Sequence, residues 1–340
     1  MWDAAAQEVG VTVRPGAGGV MLIDVGQAVV AVRETSCSID GPDVREAAGD
    51  KVGVYGLLAG MGMPIPANAT FTLGDLAEAE RFAADRGGAC VVKPARGTAA
   101  GRGVTTGLVS SADIRRASAM AAAEGARALP GGPRNPIARL RRLRRQLPHI
   151  PLLIEEQVPG HNYRLLYLDG VLIDAVRRGP PSVVGDGVSS LDALVRRLND
   201  ARLRAGGQRG QWIVTLDLDL DRTLAGQGLR RSSVVAEGVR VTLKTVVNQN
   251  DPESNHPARD EVCEDLVRLG AAAAGAVGAR LAGVDVITPD PSVPLEDAGG
   301  RILEVNTTPG FAIHLNGHPG SINPATVLLR HLSGRELASA

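Results

Sequence analysis

Residues 302–310 read ILEVNTTPG, an apolar strand that carries two polar residues and is closed by a Pro–Gly turn. Glu304 and Asn306 are two positions apart, so their side chains project from the same face of the strand, while Val305 points the other way into a core. A polar edge strand facing water is the alternative interpretation, but the flanking apolar residues and the tight turn make it the weaker one. The pattern therefore predicts a buried strand that presents a carboxylate and an amide oxygen.

A second acidic residue belongs with this pair. Residues 282–287 read AGVDVI, with Asp285 in an otherwise apolar strand. Asp285, Glu304 and Asn306 offer only oxygen ligands, a set that suits magnesium when phosphate oxygens and water complete its shell. The sequence therefore predicts a magnesium site, which manganese could also occupy.

Lysine is scarce in this chain. Of the 37 basic side chains only three are lysines, namely Lys51, Lys93 and Lys244. Because arginine fills nearly every ordinary cationic position, a retained lysine indicates a site that needs a compact ammonium group, such as one that binds phosphate oxygens. The alternative is the chance survival of three surface lysines.

One of these lysines precedes a glycine-rich stretch. Lys93 lies at the end of the strand-like sequence VVKP at 91–94, and the segment that follows contains Gly97, Thr98, Gly101 and Gly103. Glycines let backbone N–H groups approach phosphate oxygens closely. A plain hairpin loop would have the same composition, so the phosphate-binding interpretation depends on Lys93 and on the distant set of oxygen ligands.

An apolar strand at 152–160, LLIEEQVPG, ends in two glutamates and a Pro–Gly pair that is typical of a hinge. We expect the backbone of Glu156 and Val158 to hydrogen-bond the edge of an adenine, and Glu155 to accept from its amino group. An exposed, charged strand end is the alternative.

Composition limits the protein class. The chain has 340 residues, 44% of them hydrophobic, and a formal net charge of zero, which indicates a globular protein and argues against a general nucleic-acid binder. It has no apolar run of membrane-spanning length, and residues 1–10 lack the features of a signal peptide. Three widely spaced cysteines show no metal-ligand spacing. We expect a soluble, cytoplasmic protein without a membrane or nucleic-acid partner.

The order of strand-like and helix-like segments predicts an α+β fold with antiparallel strand pairs, because some links are very short. Helices are expected at 112–124, 189–204 and 258–278, and a helix is expected to begin after Asp50. Strands are expected at 89–92, 104–109, 152–155, 163–168, 171–177, 283–287 and 301–305. Residues 130–150 read as an insertion with helical spacing and six arginines: Arg134, Arg139, Arg141, Arg142, Arg144 and Arg145.

Taken together, the motifs resemble the ATP-grasp superfamily over about residues 48–330, most clearly the ATP-grasp part of cyanophycin synthetase and more distantly D-alanine–D-alanine ligase and glutathione synthetase. The matching stretches occur in the same order along the chain: AGDK at 48–51, VVKP at 91–94, GRGV at 101–104, IEEQVPGHNYRLL at 154–166, RRGPPSVVGDG at 177–187 and ILEVNTTPG at 302–310. Six motifs in order are more specific than any one of them.

The resemblance implies an ATP-grasp fold in which a nucleotide is held between two α+β lobes. It implies a short N-terminal segment at 1–50, a helical connector at 51–88, a small lobe at 89–160 and a large lobe at 161–335. In cyanophycin synthetase further domains flank the ATP-grasp part, and this chain matches neither.

Individual roles also follow from the resemblance. Lys51 and Lys93 would hold the α- and β-phosphates of ATP, Lys244 would lie near the γ-phosphate, and Gly101 and Gly103 would lie in the loop that covers the phosphates. The other implied roles are adenine binding by Glu155, Glu156 and Val158, ribose contact by Asn162, binding of two magnesium ions by Asp285, Glu304 and Asn306, contact with the acyl-phosphate by Arg164, and an acceptor side lined by Arg178 and Gly310.

Two positions depart from the family pattern. The ribose-binding position is usually acidic, and here it is Asn162. After Lys244 the family continues with Asn and a Ser-Thr-Gly-Gly turn, whereas this chain reads TVVNQNDPESNHP at 245–257. Asn248 is therefore matched to the family's Asn only by its place after Lys244, without a matching motif around it.

The function that the resemblance implies is an ATP-dependent ligase that joins a carboxylate to an amine through an acyl-phosphate, acting on amino acids or peptides, with a homodimer as the expected assembly. A phosphotransferase or carboxylase on the same fold, or a nucleotide-binding module without catalysis, remains the alternative. A dehydrogenase is excluded, because no Gly-x-Gly-x-x-Gly motif follows a strand with an acidic residue at the required distance.

Overall fold

The computed structural model describes residues 1–25, 28–33, 36–96, 101–129, 135–204, 213–315 and 317–334. Within these residues the protein is an α+β fold in which every strand pair is antiparallel, as predicted. Gly97 and Thr98 of the glycine-rich stretch and Arg134 of the insertion lie outside the described residues.

The elements follow the chain in three groups. The first group is α1 (Trp2–Val9), β1 (Thr12–Pro15), β2 (Met21–Val25), β3 (Ala28–Arg33), β4 (Ser36–Ser38), α2 (Pro42–Gly49) and α3 (Lys51–Gly60). The second is β5 (Asn68–Phe71), α4 (Leu76–Arg86), β6 (Cys90–Pro94), β7 (Thr105–Leu108), α5 (Ser111–Ala128), α6 (Pro136–Gln146) and β8 (Leu152–Glu156). The third is β9 (His161–Leu168), β10 (Val171–Arg178), β11 (Ser182–Val184), α7 (Leu191–Arg204), α8 (Leu218–Gly226), β12 (Arg240–Thr242), β13 (Asn255–Pro257), α9 (Glu264–Val277), β14 (Leu281–Thr288), β15 (Arg301–Thr307) and α10 (Pro324–Leu332).

The largest sheet has five strands in the order β13-β10-β9-β14-β15. Its register pairs Arg164 with Asp285 and Asp285 with Glu304, so these three side chains lie on one face. The residues between them, such as Leu165 and Val284, point to the opposite face and pack in a buried apolar cluster with α9. Alternation along three neighbouring strands therefore gathers charged groups on one side of this sheet.

A second sheet, ordered β5-β8-β6-β7, forms the smaller lobe. Val92 and Ile154 face a separate apolar core beneath α5, while Lys93 and Glu155 lie on the other face. The pattern of one apolar and one polar face places Lys93 beside Glu155 although they are on different strands.

The N-terminal segment at 1–50 contains a small sheet of its own. Strands β1 to β4 form a four-stranded meander, and helices α1 and α2 flank it. Trp2 and Ile23 share a buried cluster with Leu168 and Leu328, so this segment is packed against the five-stranded sheet and α10. The N-terminal segment and the five-stranded sheet therefore share one apolar core.

The predicted start of one helix was wrong, and the predicted start of another was confirmed. Helix α9 begins at Glu264, six residues later than predicted, because the N–H group of Ala258 is bonded to the carbonyl of Ala175 and continues the sheet. Helix α3 does begin after Asp50, but the Asp50 side chain makes no capping hydrogen bond and instead forms an ion pair with Arg96. None of the described helices combines the length and the apolar character that crossing a membrane requires.

Candidate active site

Helix α3 brings two functional side chains against β15. Lys51 donates a hydrogen bond from Nζ to Glu304 Oε1 at 2.7 Å. Tyr55, one turn later, places its hydroxyl 2.9 Å from the carbonyl oxygen of Leu303. Burial opposes the charge of Lys51, but the adjacent Glu304 carboxylate outweighs it and raises the pKa of the lysine.

Lys93 forms a buried ion pair with Glu155. Its Nζ lies 2.7 Å from Oε2 and 2.8 Å from Oε1 of the carboxylate, and it lies 3.3 Å from the hydroxyl of Tyr55. That hydroxyl is also 3.1 Å from Glu155 Oε2, so Tyr55 joins the lysine of the small lobe to β15 of the large lobe. Burial first, and then the Glu155 charge, raise the pKa of Tyr55 well above its ordinary value.

The structure gives Glu155 a partner other than the predicted adenine amino group, since both of its oxygens face Lys93 and Tyr55. The N–H group of Glu156 is also taken, because it donates to Ala67 O at 2.9 Å. Val158 is different: it lies beyond the end of β8, and its backbone makes no hydrogen bond to another described residue. Of the three residues expected to bind adenine, Val158 has the backbone groups free to do so.

The three predicted metal ligands lie together. Asp285 is opposite Glu304 in the β14–β15 register, and Asn306 donates from Nδ2 to Asp285 Oδ2 at 3.4 Å. Burial opposes ionisation of Glu304, but the charge and hydrogen bond of Lys51 lower its pKa to about 2. These oxygens fit a hard divalent cation. Because the described residues contain no group of three or more His, Cys, Asp or Glu that could hold a metal, other oxygens would have to complete the shell.

Two arginines flank these carboxylates. Arg164 donates from Nη2 to Asp285 Oδ2 at 2.8 Å and from Nε to the other carboxylate oxygen. Its side chain runs directly over Gly283, where a Cβ atom would lie 2.9 Å from Arg164 Cδ, so only glycine leaves room for it. The close approach fixes the guanidinium above the sheet.

Arg178 is buried but incompletely paired. Its Nη1 is 3.8 Å from Asp285 Oδ2, beyond hydrogen-bond distance, and its Nε and Nη1 have no hydrogen-bond partner among the described residues. Burial, with a further contribution from the neighbouring Arg164 charge, lowers its pKa to about 10 although Asp285 opposes this. Asn162, the cross-strand partner of Arg178, likewise has a buried side-chain oxygen without a partner in the described part of the chain. Buried donors without acceptors are costly and indicate a place for an anionic group.

The end of the glycine-rich stretch packs near the segment that follows Lys244. Gly101 has φ +67°, and a Cβ atom there would collide with Cγ1 of Val246. Gly103 also has positive φ, and Gly310 lies between β15 and the 3₁₀ turn Phe311–His314. The loop is therefore held in a conformation that favours glycine where it meets the large lobe.

Lys244 does not join the other two lysines. It is fully buried, and its Nζ donates to Asp217 Oδ2 at 2.6 Å and to Thr215 Oγ1 at 2.9 Å. A buried ammonium needs a compensating carboxylate, and the N-cap of α8 supplies it. The role of Lys244 near the γ-phosphate stays a prediction.

The sequence analysis missed three buried polar residues near this site. Tyr55 could have been found from its position four residues after Lys51, on the same helix face. Asp174 lies in the otherwise apolar run 171–176, the same signal that identified Asp285. His314 carried no signal; its Nδ1 lies 2.6 Å from Asp174 Oδ2.

Comparison with known proteins found sequence relatives among ligases, while no family model matches the chain. The chain is 28% identical over 289 residues to cyanophycin synthetase of Crocosphaera subtropica, covering 84% of this chain and 30% of that protein. It is 29% identical over 276 residues to the cyanophycin synthetase of Geminocystis herdmanii, covering 79% of this chain and 28% of the relative. The chain therefore spans about 30% of the length of the curated relatives it matches.

The fold is similar to that of a solved ligase. The crystal structure of a bifunctional glutathione synthetase from Pasteurella multocida superposes with a TM-score of 0.55 at 22% sequence identity. The similarity covers 98% of this chain and 43% of that chain. Together with the ordered motifs, the similarity confirms the predicted α+β, ATP-grasp architecture.

Proposed function

Because the chain has the ATP-grasp fold and is related in sequence to the cyanophycin synthetases, we propose that it is an ATP-dependent carboxylate–amine ligase. The reaction would phosphorylate a carboxylate and then transfer the acyl group to an amine, forming an amide bond. One observation carries the proposal: α3 places Lys51 against Glu304, which is opposite Asp285, and places Tyr55 against Lys93. The ammonium groups that would bind phosphates thus lie beside the carboxylates that would bind a divalent metal ion.

ATP and magnesium are the implied cosubstrate and cofactor, and manganese is the alternative metal. Lys51 and Lys93 would contact phosphate oxygens, and Asp285, Glu304 and Asn306 would hold the metal. A bound magnesium ion would neutralise charge on the phosphates. Two of its ligands are now paired with Lys51 and Arg164, so metal binding would free both cations to face the substrates.

The proposed chemistry asks the chain to stabilise negative charge. A carboxylate is a poor acyl donor because oxide would have to leave, whereas an acyl-phosphate releases phosphate. Arg164 and Arg178 lie on one face of β9 and β10 and would stabilise the charge of the acyl-phosphate and of the tetrahedral intermediate. Water would hydrolyse the acyl-phosphate, and the loop that includes Gly101 and Gly103 is proposed to cover it.

A groove on the small lobe supports amino-acid or peptide substrates that carry negative charge. Helix α6 lines a cavity of about 1230 Å³ with Arg141, Arg142 and Arg145. No acidic residue occurs between positions 135 and 151, and the exposed Arg141 and Arg145 form no ion pair with a described residue. A cationic groove would attract an acidic or peptidyl substrate.

A pairwise screen of amino acids and short peptides, with ATP and magnesium and with mass detection of new amides, tests the proposal. A ligase gives an amide, ADP and phosphate. A phosphotransferase gives a phosphorylated product without an amide, and a non-catalytic module binds ATP without consuming it. Either of the latter outcomes would overturn the assignment.

A further inference from the structure

A buried histidine–aspartate pair lies next to the two arginines of the site. His314 ends the 3₁₀ turn that follows Gly310, and its side chain is completely buried. Its Nδ1 is 2.6 Å from Oδ2 of Asp174 on β10. With Asp174 as the acceptor of this bond, Nδ1 is the donor and Nε2 presents a lone pair. Nε2 is buried without a hydrogen-bond partner among the described residues.

The sheet register places this pair on the site face. Asp174 is opposite Leu166, and Arg178 is four positions further along β10, so both side chains project from the face that also carries Arg164 of β9. Three charged groups act on His314: Asp174 and Arg178 from β10, and Arg164 from β9. Burial lowers its pKa first, Asp174 opposes this, and both arginines lower the pKa further, so the net effect favours the neutral ring.

A purely structural histidine would not need this arrangement. Tying the turn to the sheet requires only the Nδ1–Asp174 bond, yet the second ring nitrogen is also buried and has no hydrogen-bond partner among the residues that the structure describes. Buried polar atoms of this kind are rare because they lose their hydrogen bonds to water. Nε of Arg178 and Oδ1 of Asn162, on the same face of the sheet as Asp174, are likewise buried without a partner in the described part of the chain.

We propose that His314 is the general base that removes a proton from the incoming amine, with Asp174 as the residue that positions its ring. The inference rests on the proposed ligase function and deepens it. The amine arrives as an ammonium ion, and Nε2 takes one proton. The nitrogen lone pair then forms the C–N bond to the acyl carbon, and the C–O bond to phosphate breaks with its electron pair. The second excess proton goes to the departing phosphate, which leaves a neutral amide.

Hydroxylamine separates this role from a structural one. It is largely unprotonated at neutral pH, so it traps an acyl-phosphate as a hydroxamate without needing a base. Each common amino acid is offered as the carboxylate with ATP, magnesium and hydroxylamine, and the acid that yields hydroxamate is then offered with amino-acid amines. His314→Gln should lower amide formation by about 10²–10⁴-fold while hydroxamate formation stays near the wild-type rate.

Two further variants complete the test. Asp174→Asn should have the same selective effect, because an amide at this position can donate to Nδ1 and shift the ring proton to Nε2. His331→Gln is the matched control. His331 lies 2.7 Å from Asp169, another histidine–aspartate pair, and its substitution should leave both reactions unchanged. Loss of both reactions in step in the His314 and Asp174 variants, or unchanged amide formation, would overturn the inference. Absence of hydroxamate in the wild type with every acid would instead overturn the ligase function.

Discussion

Lys51 and Glu304 are 253 positions apart in the chain, yet Lys51 Nζ lies 2.7 Å from Glu304 Oε1. The lysine is the first residue of α3 and the glutamate lies in the middle of β15. Tyr55 contacts β15 one turn later and also reaches Lys93 and Glu155 of the small lobe. The helix therefore joins the two lysines that we propose to bind phosphate to the predicted metal ligands.

Removing the charge of Glu304 should abolish turnover. Glu304→Gln loses a metal ligand and the partner of Lys51, while the buried Val305 beside it keeps β15 in place. We expect ATP consumption to fall to background, with the circular dichroism spectrum unchanged. Asn306→Ala should behave alike. Glu296→Gln, which changes an exposed carboxylate, is the control, and full activity in Glu304→Gln would refute the metal assignment.

Lys93→Arg should bind ATP more weakly than the wild type does, even though it keeps the charge. Lys93 is only 7% exposed and fits between Glu155 and Tyr55, so a larger, forked guanidinium has no room there. Calorimetric titration with ATP and magnesium measures the affinity. An affinity equal to that of the wild type would contradict the requirement for a compact cation.

Tyr55→Phe should weaken ATP binding and lower the stability. The hydroxyl is buried between Glu155, Lys93 and the carbonyl of Leu303, and its loss leaves these groups one hydrogen bond short. We expect the free energy of unfolding to fall by about 1–3 kcal/mol. Denaturant titration measures the change, and a variant as stable as the wild type would show that the hydroxyl does not link the lobes.

Acid should weaken the Lys51–Glu304 pair in a defined pH range. The pKa of Glu304 is about 2 in the folded protein, below its ordinary value of 4.5, so ionised Glu304 stabilises the fold above pH 4.5. That stabilisation is lost as the pH falls from 4.5 towards 2. The wild type should therefore lose more stability over this range than Glu304→Gln does. Parallel pH dependence of the two proteins would contradict the pairing.

The arginine groove should affect one substrate only. Changing Arg141, Arg142, Arg144 and Arg145 to Gln should raise the KM for an acidic or peptidyl substrate and leave the KM for ATP unchanged. The rise should shrink at high salt, because exposed charges are screened beyond about 10 Å at 0.1 M salt. Arg268→Gln, a change to an exposed arginine already paired with acidic residues, is the control. Unchanged substrate kinetics at low salt would leave these arginines with a solubilising role.

Local patterns predicted the parts of the site that lie within single elements. Alternation in 302–310 placed Glu304 and Asn306 on one face and Val305 in the core, and the β14–β15 register then brought Asp285 beside them. The helix at Pro136–Gln146 in the insertion was also predicted, although Ile137 of its apolar stripe is exposed.

Pairings between distant segments were not predictable from local patterns. The scarcity of lysine singled out Lys244 as it did Lys93. The partner of Lys244 is Asp217 at the N-cap of α8, however, and not a residue of the sheets that carry Lys93 and Glu304. The adenine role of Glu155 stays a prediction, and its pairing with Lys93 across β8 and β6 had no signal in the local sequence. Which carboxylate neutralises which cation depends on strand pairing and helix packing, and no spacing along the chain encodes it.

Transfer of an isotopic label from the carboxylate to phosphate tests the central claim most directly. The acid identified by hydroxamate formation is labelled with a heavy oxygen isotope in its carboxylate and incubated with the amine, ATP and magnesium. If the chain makes an acyl-phosphate, each amide formed should be accompanied by one inorganic phosphate that contains one heavy oxygen atom. Amide formation with unlabelled phosphate would contradict the acyl-phosphate mechanism and the roles assigned to Arg164 and Arg178.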